Sequence, residues 1–228
     1  IDEAQDLIRP AYLNVMDVSL KKGLERGRWT MFGDFTKQAI YTENKTSDEM
    51  KLLLEEKSSF IKFRLTVNCR NTKPICEEIE TVTGFKTLAD LRTEVEGLPV
   101  NYITYSTPEE QRQKLKDLLM LLLNNHVTGK KMTILSPCKR ETSVVSILHG
   151  FDIRNFQASV SNQITFCTIQ AFKGLENTVI ILTDIDTFYP DKLMYVALSR
   201  ARSGLYILES DKASKEYQEL LRRRFVHE

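Results

Sequence analysis

The stretch ITFCTIQAFKGLENTVIIL, residues 164–182, holds two strands and, between them, a loop of unusual chemistry. TVIIL (178–182) is apolar without alternation, as expected for a strand covered on both faces of a parallel sheet. In TIQAFKGLE (168–176), Gly174 permits close backbone approach, Lys173 brings charge, and Glu176 can accept hydrogen bonds from a ribose. A bland loop rarely has this composition.

Outward from that stretch, the chain after Leu65 alternates helix and strand. A helix begins at Lys73; strand VNYITY (100–105), a long helix, strand KMTIL (131–135), a further helix and strand ITFCT follow; TVIIL, a helix and strand LYIL (205–208) complete the series. This is the pattern of a parallel sheet. In the long helix, Thr107, Pro108 and Glu110 supply a cap, a first-turn proline and a capping-box acid, and Leu115, Leu118, Leu119 and Leu122 make one apolar stripe that reads as core. Before Leu65, residues 11–22 read as helix, WTMFGD (29–34) as a short strand running into a loop, and Thr46 with Glu49 as the capped start of a helix through Glu56.

Composition excludes more than it identifies. With 32 Lys+Arg against 31 Asp+Glu, bulk charge points to neither nucleic acid nor a membrane, so such binding must come from local patches. Cys69, Cys76, Cys138 and Cys167 show no C-x-x-C spacing, which argues against a disulfide framework or zinc ribbon and fits a reducing cytosol. No apolar run approaches the roughly 20 residues of a membrane span. A soluble cytoplasmic protein with no membrane partner is the expectation.

Four further constellations carry chemistry. Asp2 and Glu3 open the chain in IDEAQDL (1–7): at the end of a buried strand in a nucleotide-binding fold, one acid holds the magnesium that bridges phosphates and its neighbour orients or deprotonates water, although two surface acids at a helix start would look alike. In GDFTKQAIY (33–41), Gly33 allows a tight turn and the Gln38 amide can reach a terminal phosphate; a polar loop is the plain alternative. In LTVNCRNTKPI (65–75), Arg70 stands between two asparagines before the helix that Pro74 begins, either offering paired N–H groups to phosphate or merely flanking a helix. In YVALSRAR (195–202), on an expected helix, Arg200 emerges near the end, where a cation favoured by the helix dipole is the alternative.

Taken in order, DEAQ (2–5), GD…Q-x-I-Y (33–41), N-x-R (68–70), KGLE (173–176) and VALSRA (196–201) resemble motifs II through VI of superfamily 1 helicases of the UvrD/Rep type. The resemblance implies an α/β fold of RecA-like (P-loop NTPase type) parallel sheets flanked by helices: part of a first lobe in residues 1–64 and a complete second lobe in 65–228. It implies ATP and Mg2+ in the cleft between lobes, and movement on single-stranded or partly duplex DNA. By motif position, Asp2 would hold the metal and Glu3 would be the catalytic base; Gln5 and Gln38 would sense the γ-phosphate and attacking water. Arg70 and Arg200 would reach the γ-phosphate from the second lobe, Arg200 as an arginine finger. Gly174 and Glu176 would meet the nucleotide, Glu176 at its ribose, while Thr168 and Lys173 belong to the motif facing the DNA backbone. Tyr41 would stack on a base, an interaction worth about 1–3 kcal/mol.

The sequence also departs from that pattern. No G-x-x-x-x-G-K-[ST] occurs; the one Gly-Lys, Gly129-Lys130, is followed by another lysine. The phosphate cradle is therefore expected in a segment preceding Ile1, and this chain alone is not expected to hydrolyse ATP. Where many relatives continue Tyr-x-aromatic-Arg, this chain reads Tyr41-Thr42-Glu43-Asn44, with an acid at 43 that would repel phosphate, and Gln170 replaces the usual histidine. Between Arg70 and Thr168 there is room for one α/β lobe without a large accessory insert. A non-catalytic RecA-like scaffold and a regulatory RNA-directed ATPase are the rival expectations.

Overall fold

The computed structural model describes residues 1–35, 37–38, 46–86, 90–91, 97–156 and 162–226, with backbone alone for 90–91 and 224–226. The chain divides into two compact units, Ile1–Leu65 and Thr66–Glu228.

In the first unit a 3-10 turn, Ala4–Asp6, precedes α1 (Pro10–Ser19), α2 (Gly23–Arg26) and α3 (Ser47–Glu55). The helix expected over 11–22 breaks after Ser19, where Asp17 Oδ1 accepts from the Leu24 amide at 2.7 Å and so caps the start of α2 instead. At α3 the capping box is complete: Thr46 accepts from the Glu49 amide, and the Glu49 carboxylate accepts from the Thr46 amide. Ile8, Leu13, Leu24, Met50 and Leu54 form the small core, with Trp29 and Phe60 packed against it. WTMFGD is not a strand. It is bonded to the chain's opening residues, from Phe32 N to Ile1 O at 2.8 Å and from Ala4 N to Phe32 O at 2.9 Å, but the turn at Ala4 ends the pairing before a ladder forms.

The second unit opens with β1 (Val67–Asn68), α4 (Lys73–Thr83) and β2 (Asp90–Leu91), the two short strands pairing in parallel. The main sheet follows: β3 (Asn101–Tyr105), α5 (Pro108–Asn124), β4 (Met132–Ser136), β5 (Ile153–Asn155), β6 (Ile164–Thr168), β7 (Asn177–Ile185), α6 (Asp191–Leu198), β8 (Ala201–Ser210) and α7 (Asp211–Val226). Its order is β3-β8-β7-β4-β6-β5, and every neighbouring pair is parallel. Helices flank it, so the expected parallel α/β sheet is present. Val179 and Ile181 of β7 join the cluster under α5, with Leu115, Leu118, Leu119 and Leu122, while the equally buried Ile180 and Leu182 alternate to the other side.

Three local expectations fail for physical reasons. Between β4 and β5 there is no helix but two 3-10 turns, Arg140–Thr142 and Val144–Ile147, because the Asp184 carboxylate captures the Ser143 hydroxyl at 2.6 Å and the Val144 amide at 3.1 Å. α6 stops at Leu198, so Arg200 lies in the turn before β8 and not on the helix. At α5 the Thr107 cap holds, but Glu110 reaches back to the Ser106 amide at 2.8 Å, one residue before the cap.

Two predictions follow from this packing. Leu119 is fully buried, and Leu119→Ala is expected to cost the second unit about 2–5 kcal/mol in urea unfolding; a loss below about 1 kcal/mol would contradict the core described. Glu209 is 2 % exposed, and burial lifts its carboxyl above the ordinary value of 4.5, against hydrogen bonds from Ser214 and Thr104 that pull it down. The folded chain thus holds this proton more tightly than the unfolded one, and the stability it contributes in acid is lost as pH rises through the raised value. Glu209→Gln should raise the unfolding midpoint at neutral pH, with the advantage vanishing below pH 4.5; an advantage independent of pH would refute the assignment.

Candidate nucleotide site

In the second unit, an asparagine network sets the geometry. Asn68 Oδ1 accepts from the backbone amides of Arg70 at 2.9 Å and Asn71 at 3.1 Å, folding residues 68–71 into a tight turn. Asn71, 4 % exposed, then donates Nδ2 to the carbonyls of Ser199 at 3.1 Å and Ala201 at 2.6 Å. One buried amide therefore joins the turn carrying Arg70 to the turn carrying Arg200.

Arg200 is 1 % exposed and ties the third segment in. Its guanidinium donates to Val196 O at 2.9 Å, Leu175 O at 3.2 Å and Ser199 Oγ at 2.9 Å, and its carbonyl accepts from the Asn177 amide at 3.1 Å. Next to Leu175, Glu176 Oε2 accepts from Arg70 Nε at 2.5 Å, and Arg202 Nε lies 3.7 Å from Glu176 Oε1. Residues 68–71, 174–177 and 196–202, far apart in the chain, thus meet at the amino ends of β7 and β8. Gly174 has φ 82, a left-handed backbone that suits glycine, and delivers Glu176 to this corner.

Thr168 is elsewhere. It closes β6 opposite Ser136, whereas Val179 lies opposite Met132 at the other end of β4. In a parallel sheet four residues separate these levels by about 13 Å, so the segment 169–176 runs from the carboxyl end of the sheet to its amino end. Thr168 Oγ1 accepts from the Ala171 amide at 3.3 Å, shaping the turn in which half-buried Lys173 sits.

In the first unit, Gln5 is fully buried and organises the acidic opening. It donates to Glu3 Oε2 at 2.5 Å and accepts from the Asp34 amide at 3.1 Å. A Cβ on Gly33 would fall 2.4 Å from Gln5 Oε1, so only glycine permits this approach. Glu3 has φ 50, and its amide donates to Asp2 Oδ1 at 2.9 Å. Asp2 is exposed and fits a magnesium ion held through one carboxylate with phosphates and water, the usual manner for that ion; among the described residues no cluster of three or more His, Cys, Asp or Glu forms a protein cage for a metal. Gln38 is half-buried in the loop beyond Asp34, and Tyr41 lies outside the described residues.

Asn68 and Asn71 were noted from sequence only as the neighbours of Arg70, without a role, and Arg202 was not singled out. The spacing N-x-x-N around Arg70 was the available signal for the first two, and the doubled arginine of SRAR for the third. A cavity of about 440 Å³ lies among Leu123, His126, Phe151 and Ile164 and contains none of the site residues.

No family model matches this sequence, and no curated protein matches it. Solved structures do. The C-terminal domain of a possible DNA helicase from Lactobacillus plantarum WCFS1 superposes with TM-score 0.50 at 15% identity, over 63% of this chain and 88% of that one. The arterivirus nonstructural protein 10 helicase in complex with DNA gives 0.42 at 14% identity over 86% of this chain, and the PRRSV helicase 0.41 at 14% over 81%. This chain spans 37% and 30% of those two proteins. The fold is that of the C-terminal domain of the possible DNA helicase.

Removing the Asn71 amide would strand two buried carbonyls. Asn71→Ala is expected to destabilise the second unit by about 1–3 kcal/mol and to broaden the NMR signals of residues 199–202; an unchanged unfolding midpoint would show that the turns are held by other means.

Proposed function

We propose that the chain is the C-terminal motor portion of an ATP-dependent, superfamily 1 (UvrD/Rep-like) helicase or translocase acting on single-stranded or partly duplex DNA. One observation carries the reading: Arg70, Glu176 and Arg200, picked from three separate motifs, come together around Leu175 and Glu176. The second unit would present Arg70 to the γ-phosphate, Glu176 to the ribose, and Arg200 to the charge that develops as the phosphoryl group departs. The first unit would supply Asp2 for Mg2+, Glu3 to receive the proton of the attacking water, and Gln5 and Gln38 to position both. Magnesium, when bound, would neutralise phosphate charge. Thr168, at the carboxyl end of the sheet, and Lys173, in the turn that follows it, would face the DNA backbone, and the segment from Thr168 to Glu176 would link strand contact to nucleotide contact. Having no phosphate loop of its own, the chain would need one from further polypeptide to turn over ATP.

A second reading, a non-catalytic RecA-like scaffold, is favoured by the Arg200 guanidinium, whose bonds to Val196, Leu175 and Ser199 suit a structural role. DNA-stimulated ATP hydrolysis separates the two, measured on a polypeptide joining this chain to its phosphate loop. The motor reading predicts that Arg200→Ala lowers the rate about a thousandfold or more while the fold survives by circular dichroism. Absence of hydrolysis in both proteins would favour the scaffold, and equal measurable rates would remove Arg200 from the catalytic set.

A further inference from the structure

The two groups that the proposed function sends to opposite parts of a nucleotide are bonded to each other: Arg70 Nε donates to Glu176 Oε2 at 2.5 Å. Arg202 stands by, 3.7 Å from the other carboxylate oxygen. We propose that Glu176 is a displaceable counter-ion of the phosphate site, and that Arg202 is the positioning residue that takes over its carboxylate when a phosphate takes Arg70. This rests on Arg70 being a phosphate contact.

Four features support the exchange. Two guanidinium groups share one carboxylate, so the cluster keeps an uncompensated positive charge suited to an anion. The Arg70 and Glu176 side chains are 36% and 39% exposed, so water screens their attraction and a polyphosphate of several charges can outcompete a single carboxylate. Arg70 uses only Nε; its two terminal nitrogens bond to nothing among the described residues, so a phosphate can engage their fork before the carboxylate leaves. The main chain is fixed on every side, by Asn68 at Arg70, by Asn71 at Ala201, and by Arg200 at Leu175 and Asn177. Side-chain rotation alone can then transfer Glu176 from one arginine to the other. Arg200, buried with three protein acceptors, is not part of the exchange.

The test uses inorganic tripolyphosphate, which has no ribose, titrated calorimetrically into the 228-residue chain. Glu176→Gln should tighten binding roughly two- to fivefold, the range an exposed ion pair allows; a glutamate serving the ribose alone predicts no change. Arg202→Ala should weaken binding in the wild-type background, Arg202→Lys should restore it, and Arg202→Ala should have no effect once Glu176 is Gln. Unchanged or weaker binding by Glu176→Gln overturns the counter-ion, and an equal loss from Arg202→Ala in both backgrounds overturns the handover by making Arg202 a direct phosphate contact. Should Arg70→Ala leave tripolyphosphate binding intact, the phosphate reading of Arg70 fails together with this inference.

Discussion

The Asn71 side-chain amide is the constraint on which the corner of the second unit depends. Both its protons go to main-chain carbonyls more than a hundred residues away, at Ser199 and Ala201, and its acceptor faces Asn68. A buried amide with satisfied donors is stable in place, and one without them is costly. Its position therefore fixes the turn bearing Arg70 against the turn bearing Arg200, and Arg200 in turn grips Leu175. Three loops at the amino ends of β7 and β8 become one rigid frame carrying a few side chains that can rotate.

That frame explains a division of labour along the sheet. Parallel strands place Thr168 and Glu176, the two ends of one short segment, at opposite ends of the same layer. The carboxyl end has its own anchor in Asp184, whose carboxylate accepts from Gln111, Ser136, Ser143 and the Val144 amide. A half-buried carboxylate that accepts from so many donors holds them in place. The neighbouring loops are thus tied to the sheet at both of its ends.

Much of the fold was legible because strong periodicity survives tertiary context. The leucine stripe of α5 and the apolar run of β7 each reflect burial of whole faces, and burial is written in residue type. Failures cluster where a single polar contact decides. Asp184, at φ 60, draws in Ser143 and Val144 and replaces the expected helix with 3-10 turns, and no pattern in 140–148 announces a partner forty residues away. WTMFGD has strand composition but meets a turn at Ala4. In the candidate site, the pairing of Arg70 with Glu176 was not legible, since both were read as nucleotide contacts and neither as the other's partner. The supporting role of the two asparagines beside Arg70 was missed because short amides are common in loops and their bonds are visible only in three dimensions.

The central claim is that a phosphate draws the Arg70 guanidinium away from Glu176, and arginine side-chain NMR observes that bond directly. With the Arg70 Nε–H resonance identified by its loss in Arg70→Ala, titration of the chain with Mg-ATP should move it progressively to a new, saturating position as the carboxylate partner is exchanged for phosphate. A resonance that stays where it is while ATP binding is detected independently would show that the nucleotide engages another surface, and the account would fall.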